Sequence, residues 1–287
     1  MSELRKLVGT RPLFNVGVSV VLLNEQGQWL RQRRSDSGLW GVPGGGLEPG
    51  ECFGAAAARE LEEETGLTGV ALTRMMSLSG PECRHVYPHG DEVYMVGLAL
   101  RGVLSDAEFA GATLGSDGET LELKFFGLNG LPILSGGIER LLARRLRQTA
   151  GLPALPEPEP PAPPLRPGGN HLADLRSLVG PRPLLAPGAN VLVFNDRREL
   201  LEETGLHAER LEELKFYAGA EYRFTYPHGD VIDNVAALYR ARGVTGQVVP
   251  QQEEVLDWRW FVPDALPQAE ELSGPLISAM LTVASRL

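Results

Sequence analysis

The sequence contains little cysteine, no long hydrophobic run and fewer basic than acidic residues. Its only two cysteines, Cys52 and Cys83, are too few for a disulfide framework, which favours reduced thiols and a cytoplasmic location. No stretch approaches the roughly 20 apolar residues of a membrane span, so we expect no membrane partner. The formal net charge of -10 argues against stable nucleic-acid binding, because the phosphate backbone would be repelled. A small polyanion remains compatible with this charge if divalent cations reverse the local field.

Proline is concentrated in one segment, which separates two similar halves. The segment 151–171 includes eight prolines, a density that favours an extended polyproline II linker. LRKLVGTRPL at 4–13 recurs as LRSLVGPRPL at 175–184, and YPHGD at 87–91 recurs at 226–230. The second match is displaced by less than the first, so the second copy lacks an internal block. That block corresponds to Arg31 through about Glu62 of the first copy.

The repeat predicts the domain organisation. We expect a complete domain over residues 1–150, the proline-rich linker over 151–171 and a truncated copy over 172–287. In the first copy, residue periodicity predicts strands, a helix at Cys52–Thr65, further strands and a closing helix at Gly137–Gln148. This order indicates an α/β (α+β) fold with a mixed β-sheet sandwiched between helices, in a tandem arrangement with a shortened second copy.

One segment of the first copy has the residues expected of a metal site. Its glycine, glutamate and arginine residues are Gly45, Glu51, Arg59, Glu60, Glu63, Glu64 and Gly66. Residues three and four apart share one face of a helix, so three of the glutamates converge within about one turn. Such carboxylates raise one another's pKa unless cations hold them, and their hard oxygens suit Mg²⁺ or Mn²⁺. Arg59 and Glu63, spaced i and i+4, are expected to pair.

Three consecutive glycines precede this helix. Gly44, Gly45 and Gly46 permit close backbone approach and positive φ at little steric cost. The loop can therefore fold under the helix and present carbonyls or amides to a metal or a phosphate. Taken alone, the acidic run ELEEE is typical of a solvated helix face. Its register with the glycines, Glu51 and Arg59 favours a functional site instead.

The whole pattern over residues 45–67 resembles the Nudix box of the Nudix hydrolase family, and LWGVPGG before it is similar to the family's entry to the loop. The resemblance implies a pyrophosphohydrolase that uses Mg²⁺, with Mn²⁺ as a substitute, to split the diphosphate linkage of a nucleoside diphosphate derivative. ADP-ribose-like and (d)NTP-like substrates both stay open, and a small nucleotide is the implied partner.

The resemblance also implies roles for individual residues. Glu51 and Arg59 would order the loop and the helix, and the backbone of Gly44, Gly45 and Gly46 would face the phosphates. The family often takes a further acid from a loop before a late strand, which makes Glu119 the first candidate and Glu122 the second. The metal ligands implied are Glu60, Glu63, Glu64 and Glu119, with Glu63 or Glu64 as the general base.

The second copy keeps only part of the box. Glu202 and Glu203 correspond to Glu63 and Glu64, but nothing there corresponds to Gly45 or Glu51. We therefore expect this copy to be catalytically silent and to pack on the first as a pseudo-dimer. The alternative function is a regulatory protein that binds a nucleotide metabolite through a Nudix fold without turnover.

Overall fold

The computed structural model describes residues 2–9, 12–87, 89–115, 118–156, 171–195, 200–201, 206–246, 260–262, 265–267, 272 and 274–287. Contacts divide the chain into two compact units, Met1–Gly180 and Pro181–Leu287. None of the helices formed by the described residues is long and apolar enough to cross a lipid bilayer.

The first unit contains one sheet and five α-helices among its described residues. In chain order its elements are α1 Ser2–Val8, β1 Leu13–Asn24, β2 Trp29–Arg34, β3 Trp40–Gly41, α2 Phe53–Thr65, β4 Thr73–Leu78, β5 Arg84–Val86, β6 Glu92–Leu104, α3 Asp106–Ala110, β7 Thr120–Phe126, α4 Gly137–Thr149 and α5 His171–Val179. The seven-stranded sheet has the order β3-β2-β1-β6-β4, with β5 beside β6 and β7 beside β2. Strands β1 and β6 run parallel and the other pairs antiparallel, so the predicted mixed sheet is confirmed.

Helices cover both faces of this sheet. Successive side chains of a strand point to opposite faces, so the contacts of β2 show which helix lies on each face. Trp29 packs in a buried cluster with Leu142 and Ala143 of α4. Gln32, three positions along, donates a hydrogen bond to Glu64 of α2. The sheet therefore lies between α2 and α4, as the sequence predicts.

The helix α2 ends at Thr65 as the sequence predicts and begins at Phe53, one residue after the predicted start. Cys52 has the extended conformation of an N-cap, and Gly66 ends the helix with a left-handed φ of 68°. The buried side of α2 presents small or apolar side chains, Ala56, Ala57 and Leu61, to the sheet. This side fixes the helix, and the acidic residues between its members face the loop and solvent.

The second unit repeats part of the first in the same order along the chain. Its elements are β8 Leu184–Phe194, β9 Leu200–Leu201, β10 His207–Tyr217, β11 Arg223–Thr225, β12 Val231–Thr245 and α6 Pro275–Ala284. The parallel pair β8 and β12 corresponds to β1 and β6, and β11 corresponds to β5 because each directly precedes a YPHGD segment. Between β8 and β10, the residues that the structure describes contain β9 and no helix equivalent to α2.

The repeated YPHGD segment forms a tight turn in both units. Tyr87 N–H donates to the Asp91 carbonyl at 2.8 Å, and Tyr226 N–H donates to the Asp230 carbonyl at the same distance. The glycine of each segment adopts a φ of 93° or 96°, which glycine reaches without strain. Turn formation therefore accounts for the glycine at this position of the repeat.

The core of the first unit contains a buried cation. Arg31 is 0% exposed, its guanidinium lies 4.1 Å above the Trp29 ring, and its Nη2 donates to the Trp40 carbonyl at 2.6 Å. Within the described residues, its Nε and Nη1 have no hydrogen-bond partner. Burial lowers the pKa of Arg31 to about 10.

We expect Arg31→Met to melt at the same temperature as the wild-type protein or higher. Unpaired buried donors cost about 1–3 kcal/mol each, and replacing a buried charge by an apolar side chain of similar volume is often neutral or stabilising by about 1–4 kcal/mol. Arg31→Ala is the matched control and should melt lower, because it leaves a cavity. Thermal unfolding of both variants checks this, and equal losses of stability would contradict it.

Candidate active site

The glycine-rich loop before α2 lies directly on β1. Val18 N–H donates to the Gly45 carbonyl at 2.9 Å, and Val20 N–H donates to the Pro43 carbonyl at 2.7 Å. Gly44 adopts a φ of 144°, and a Cβ at this position would stand 2.3 Å from the Val18 carbonyl oxygen. Only glycine fits a backbone that lies this close with this conformation.

Two further glycines, on the strands beneath, complete this close approach. A Cβ at Gly17 would stand 2.4 Å from the Gly45 carbonyl oxygen, and a Cβ at Gly97 would stand 1.8 Å from the Gly17 carbonyl oxygen. Gly17 and Gly97 are paired in register across β1 and β6, and Gly17 also forms a bridge with Gly46. Three stretches of backbone therefore meet without intervening side chains, which fixes the height of the loop over the sheet.

Arg59 joins the loop to the helix through five hydrogen bonds. Its Nε and Nη2 donate to the two carboxylate oxygens of Glu51 at 3.0 and 3.1 Å, and Nη2 also donates to the Gly46 carbonyl at 2.9 Å. Its Nη1 donates to Glu60 at 2.8 Å and to Glu63 at 3.0 Å. The predicted pair of Arg59 and Glu63 is present. The bidentate hydrogen bond to Glu51 gives the contact a fixed geometry.

Glu64 belongs to a second, buried set of hydrogen bonds. Its side chain accepts from the Gln32 amide at 3.0 Å and from Gly44 N–H at 2.8 Å, and only 3% of the residue is exposed. The Gln32 amide also donates to the Val42 carbonyl at 3.1 Å and accepts from the Thr120 hydroxyl at 2.9 Å. Glu64 is thus bound both to the glycine loop and to the sheet, and the Gly44 N–H already donates to its carboxylate.

The environment shifts the pKa values of these groups in opposite directions. Burial raises the pKa of Glu64 to about 7, against the hydrogen bonds from Gln32 and Gly44 that lower it. Burial also raises the pKa of Glu60. At Glu51, burial acts in the same sense but is outweighed by the hydrogen bonds from Arg59, so the pKa is lowered. The bonds to Glu51 and then Glu60 raise the pKa of the guanidinium, which keeps Arg59 charged.

The structure separates the two candidates for a further acid. Glu119 lies just before β7 and its backbone carbonyl accepts from Ser35 N–H at 2.8 Å. Burial is the main cause of the raised pKa of Glu60, and the negative charge of Glu119 raises that pKa further. Glu122 lies 3.8 Å from Arg33, and both side chains are nearly half exposed. Of the two candidates, Glu119 is therefore the one whose charge acts on the acidic face of α2.

The donor set fits a hard divalent cation in its chemistry, although Arg59, Gln32 and Gly44 donate hydrogen bonds to its helix carboxylates in the structure. No three histidine, cysteine or acidic side chains of the described residues are grouped as a metal site. Arg59 holds Glu60 and Glu63, while Gln32 and Gly44 hold Glu64. The carboxylates nevertheless project from one helical turn and offer only oxygen donors, which Mg²⁺ and Mn²⁺ prefer. The assignment of Glu60, Glu63, Glu64 and Glu119 as metal ligands stays a prediction.

Sequence reasoning missed four residues of this site, Gly17, Gly97, Gln32 and Thr120. Gly17 could have been found, because a glycine inside a strand often marks a close approach of another backbone. Gln32 and Thr120 lie 88 residues apart in the chain and no local pattern joins them. The predicted remnants Glu202 and Glu203 of the second copy lie outside the described residues.

A sequence model of the NUDIX domain matches residues 13–145 and 197–280. Together these segments cover more than half of the 287 residues, and the first contains the whole loop and α2. The second begins shortly before Glu202, the counterpart of Glu63 in the second copy.

Among curated relatives, a putative 8-oxo-dGTP diphosphatase of Bacillus subtilis (strain 168) is 46% identical over 54 residues, 19% of this chain and 36% of the relative. An RNA pyrophosphohydrolase of Erythrobacter litoralis is 48% identical over 52 residues, 17% of this chain and 32% of the relative. The chain thus spans about a third of the length of these relatives.

Among solved structures, a MutT protein from Methanosarcina mazei has 24% sequence identity and a TM-score of 0.38, covering 48% of this chain and 96% of that one. The two segments of the family match, rather than this likeness, decide the classification. On the extent of that match, the protein belongs to the NUDIX family.

Proposed function

We propose that this protein is a metal-dependent pyrophosphohydrolase that splits the diphosphate linkage of a nucleoside diphosphate derivative. One observation supports this more than any other. Arg59 binds the Glu51 carboxylate, the Gly46 carbonyl and two helix glutamates at the same time. A helix face that is merely acidic and solvated does not require hydrogen bonds that join a glycine loop to its carboxylates. An active site that presents the loop and the carboxylates to one substrate requires such bonds.

The roles that we propose follow the positions of the side chains. Glu60, Glu63 and Glu64, with Glu119, would hold Mg²⁺ or Mn²⁺. A divalent cation there would neutralise phosphate oxygens and activate a water molecule. Glu63, whose side chain is 51% exposed, is open to water and is our first choice as the base.

The remaining groups of the site would act on its shape. Arg59 and Glu51 would keep the loop at a fixed distance from α2. The loop of Gly44, Gly45 and Gly46 would approach the phosphates without side chains in the way, because glycine permits close backbone contact with a ligand.

We propose that the C-terminal unit is structural and does not catalyse the reaction. In support, its described residues keep the parallel pair β8 and β12 but include no counterpart of α2. Packing of the two copies as a pseudo-dimer belongs to the same proposal. The retained sheet also favours the alternative for this unit alone, which is binding of a nucleotide metabolite without turnover. We further propose a cytoplasmic location, supported by the free thiols of Cys52 and Cys83.

A substrate panel in ¹⁸O-water tests the function. The purified chain is incubated with ADP-ribose, dNTPs, NADH, dinucleoside polyphosphates and 5′-triphosphorylated RNA, each with Mg²⁺ and with excess EDTA. We expect at least one diphosphate linkage to be cleaved with Mg²⁺ only, with one ¹⁸O in a phosphate product, because water is the nucleophile. Cleavage that survives EDTA, or no cleavage of any compound, would contradict the proposal. RNA as the sole substrate would correct the expectation that nucleic acids are not partners.

A further inference from the structure

Gln32 lies at the centre of a buried chain of hydrogen bonds that the proposed mechanism does not yet use. It is 1% exposed, and Thr120 and Glu64 on either side of it are 4% and 3% exposed. The Thr120 hydroxyl donates to Gln32 Oε1, and Gln32 Nε2 donates to Glu64. β7, β2 and α2 are therefore connected through the side chains of three buried residues.

The partners of Gln32 allow its amide only one orientation. The Glu64 carboxylate and the Val42 carbonyl are both acceptors, so both need the N–H groups of Nε2. Oε1 must then face a donor, and the Thr120 hydroxyl is the donor it meets. Turning the amide over would place an oxygen against a buried carboxylate. Each unmade bond in such a place costs about 1–3 kcal/mol.

The chain also connects two acid-bearing elements. Thr120 is the first residue of β7 and follows Glu119 directly, and Glu64 lies in the last turn of α2. The two carboxylates come from segments that are far apart in the sequence. Gln32 links these segments on the face of the sheet that α2 covers, so it affects how they are placed with respect to each other.

We propose that Gln32 and Thr120 are positioning residues for Glu64: the Thr120 hydroxyl orients the Gln32 amide, and the amide holds the Glu64 carboxylate in the rotamer that a bound divalent cation requires. This inference rests on the proposed function, since it assumes that Glu64 is a metal ligand. Groups that orient a metal ligand typically change metal affinity or activity by about 10- to 100-fold when they are removed.

Manganese binding without substrate tests the inference independently of turnover. Free Mn²⁺ is measured by electron paramagnetic resonance for the wild type, Thr120→Val, Thr120→Ser, Gln32→Leu and Glu64→Gln. We expect Thr120→Val to weaken Mn²⁺ binding about tenfold and Gln32→Leu about 100-fold, with Thr120→Ser close to the wild type because it restores the hydroxyl. Thr120→Val is nearly isosteric and keeps the test decisive if Gln32→Leu does not fold.

A matched control separates positioning from stability. Asn24 is a buried amide near the other end of the β1–β2 pair, and among the described residues its side chain bonds to Gln28 of the adjoining turn. Asn24→Ala should lower the melting temperature and leave Mn²⁺ affinity unchanged. In the Glu64→Gln background, Thr120→Val should add no further loss of Mn²⁺ binding, because residues that act through one group are not additive.

The outcomes distinguish the two proposals. If Glu64→Gln weakens Mn²⁺ binding but Thr120→Val and Gln32→Leu bind as the wild type does, the positioning role is wrong and the proposed function stands. If Glu64→Gln also binds as the wild type does, the assignment of Glu64 as a metal ligand fails with it. If Thr120→Ser is as weak as Thr120→Val, the hydroxyl has no orienting role and the inference is overturned.

Discussion

Glu63→Gln and Glu64→Gln are each expected to lower kcat by about a thousandfold while the protein remains folded. Charge stabilisation by a bound metal is worth several kcal/mol, and each 1.4 kcal/mol corresponds to about a factor of ten in rate. Glu63 is half exposed, so its substitution should leave stability unchanged. Glu64 is buried against Gln32 and Gly44, so its amide places one donor opposite another and should cost about 1 kcal/mol of stability.

The sequence itself offers the matched control for these variants. Glu202 and Glu203 stand in the second copy at the positions of Glu63 and Glu64 when the two YPHGD segments are aligned. Glu202→Gln and Glu203→Gln should keep the turnover of the wild-type chain, because the C-terminal copy is proposed to be silent. Steady-state kinetics with Mg²⁺ and thermal unfolding of all four variants check the prediction. Turnover near the wild-type rate in both Glu63→Gln and Glu64→Gln would remove the assignment.

Gly44→Ala is expected to be the most damaging change in the loop. Its φ of 144° disfavours any side chain, and its Cβ would stand 2.3 Å from backbone of β1 that cannot rotate away. Strained backbone of this kind costs about 1–3 kcal/mol, and the clash adds to it. Moving the loop also removes the Gly44 N–H from Glu64, so kcat should fall in the protein that still folds. Urea unfolding and kinetics measure the two effects.

Gly54→Ala controls for the loss of a glycine in the same region. Gly54 lies in the first turn of α2, and nothing stands within 4 Å of the place that its Cβ would take. Alanine there should gain up to about 1 kcal/mol from helix propensity. A Gly44→Ala protein as stable and as active as Gly54→Ala would show that the loop does not need its observed backbone.

Local patterns were enough to predict α2 and its internal contacts. Glutamates, an arginine and a C-terminal glycine at fixed spacing specify a helix that ends at Gly66, and the i, i+4 pair of Arg59 and Glu63 follows from the helical repeat alone. The segment Leu39–Gly46, which leads into the glycine loop, forms a strand only at β3, Trp40–Gly41. Pro43, Gly45 and Gly46 pair with β1 instead, and such a partner cannot be predicted from the segment itself.

Contacts between distant segments account for what the sequence could not predict. In the sequence, Gln32 is a polar residue of a basic strand with nothing to distinguish it. In the structure it is buried and donates to Glu64, which lies 32 positions further along the chain. The pairing of Gly17 with Gly97 depends on β1 and β6 lying side by side. The burial of Glu64 likewise follows from the loop folding over the helix. These contacts exist only once the sheet is assembled.

Anomalous diffraction from crystals of the full chain soaked in MnCl₂ and a non-hydrolysable nucleoside diphosphate analogue tests the central claim most directly. The claim is that the acidic turn of α2 binds divalent cations against a diphosphate. We expect manganese peaks about 2.1 Å from carboxylate oxygens of Glu60, Glu63 or Glu64, since hard cations bind oxygen at about that distance, with the diphosphate beside the glycine loop. Ordered density for α2 and the analogue without a manganese peak at that turn would contradict the claim.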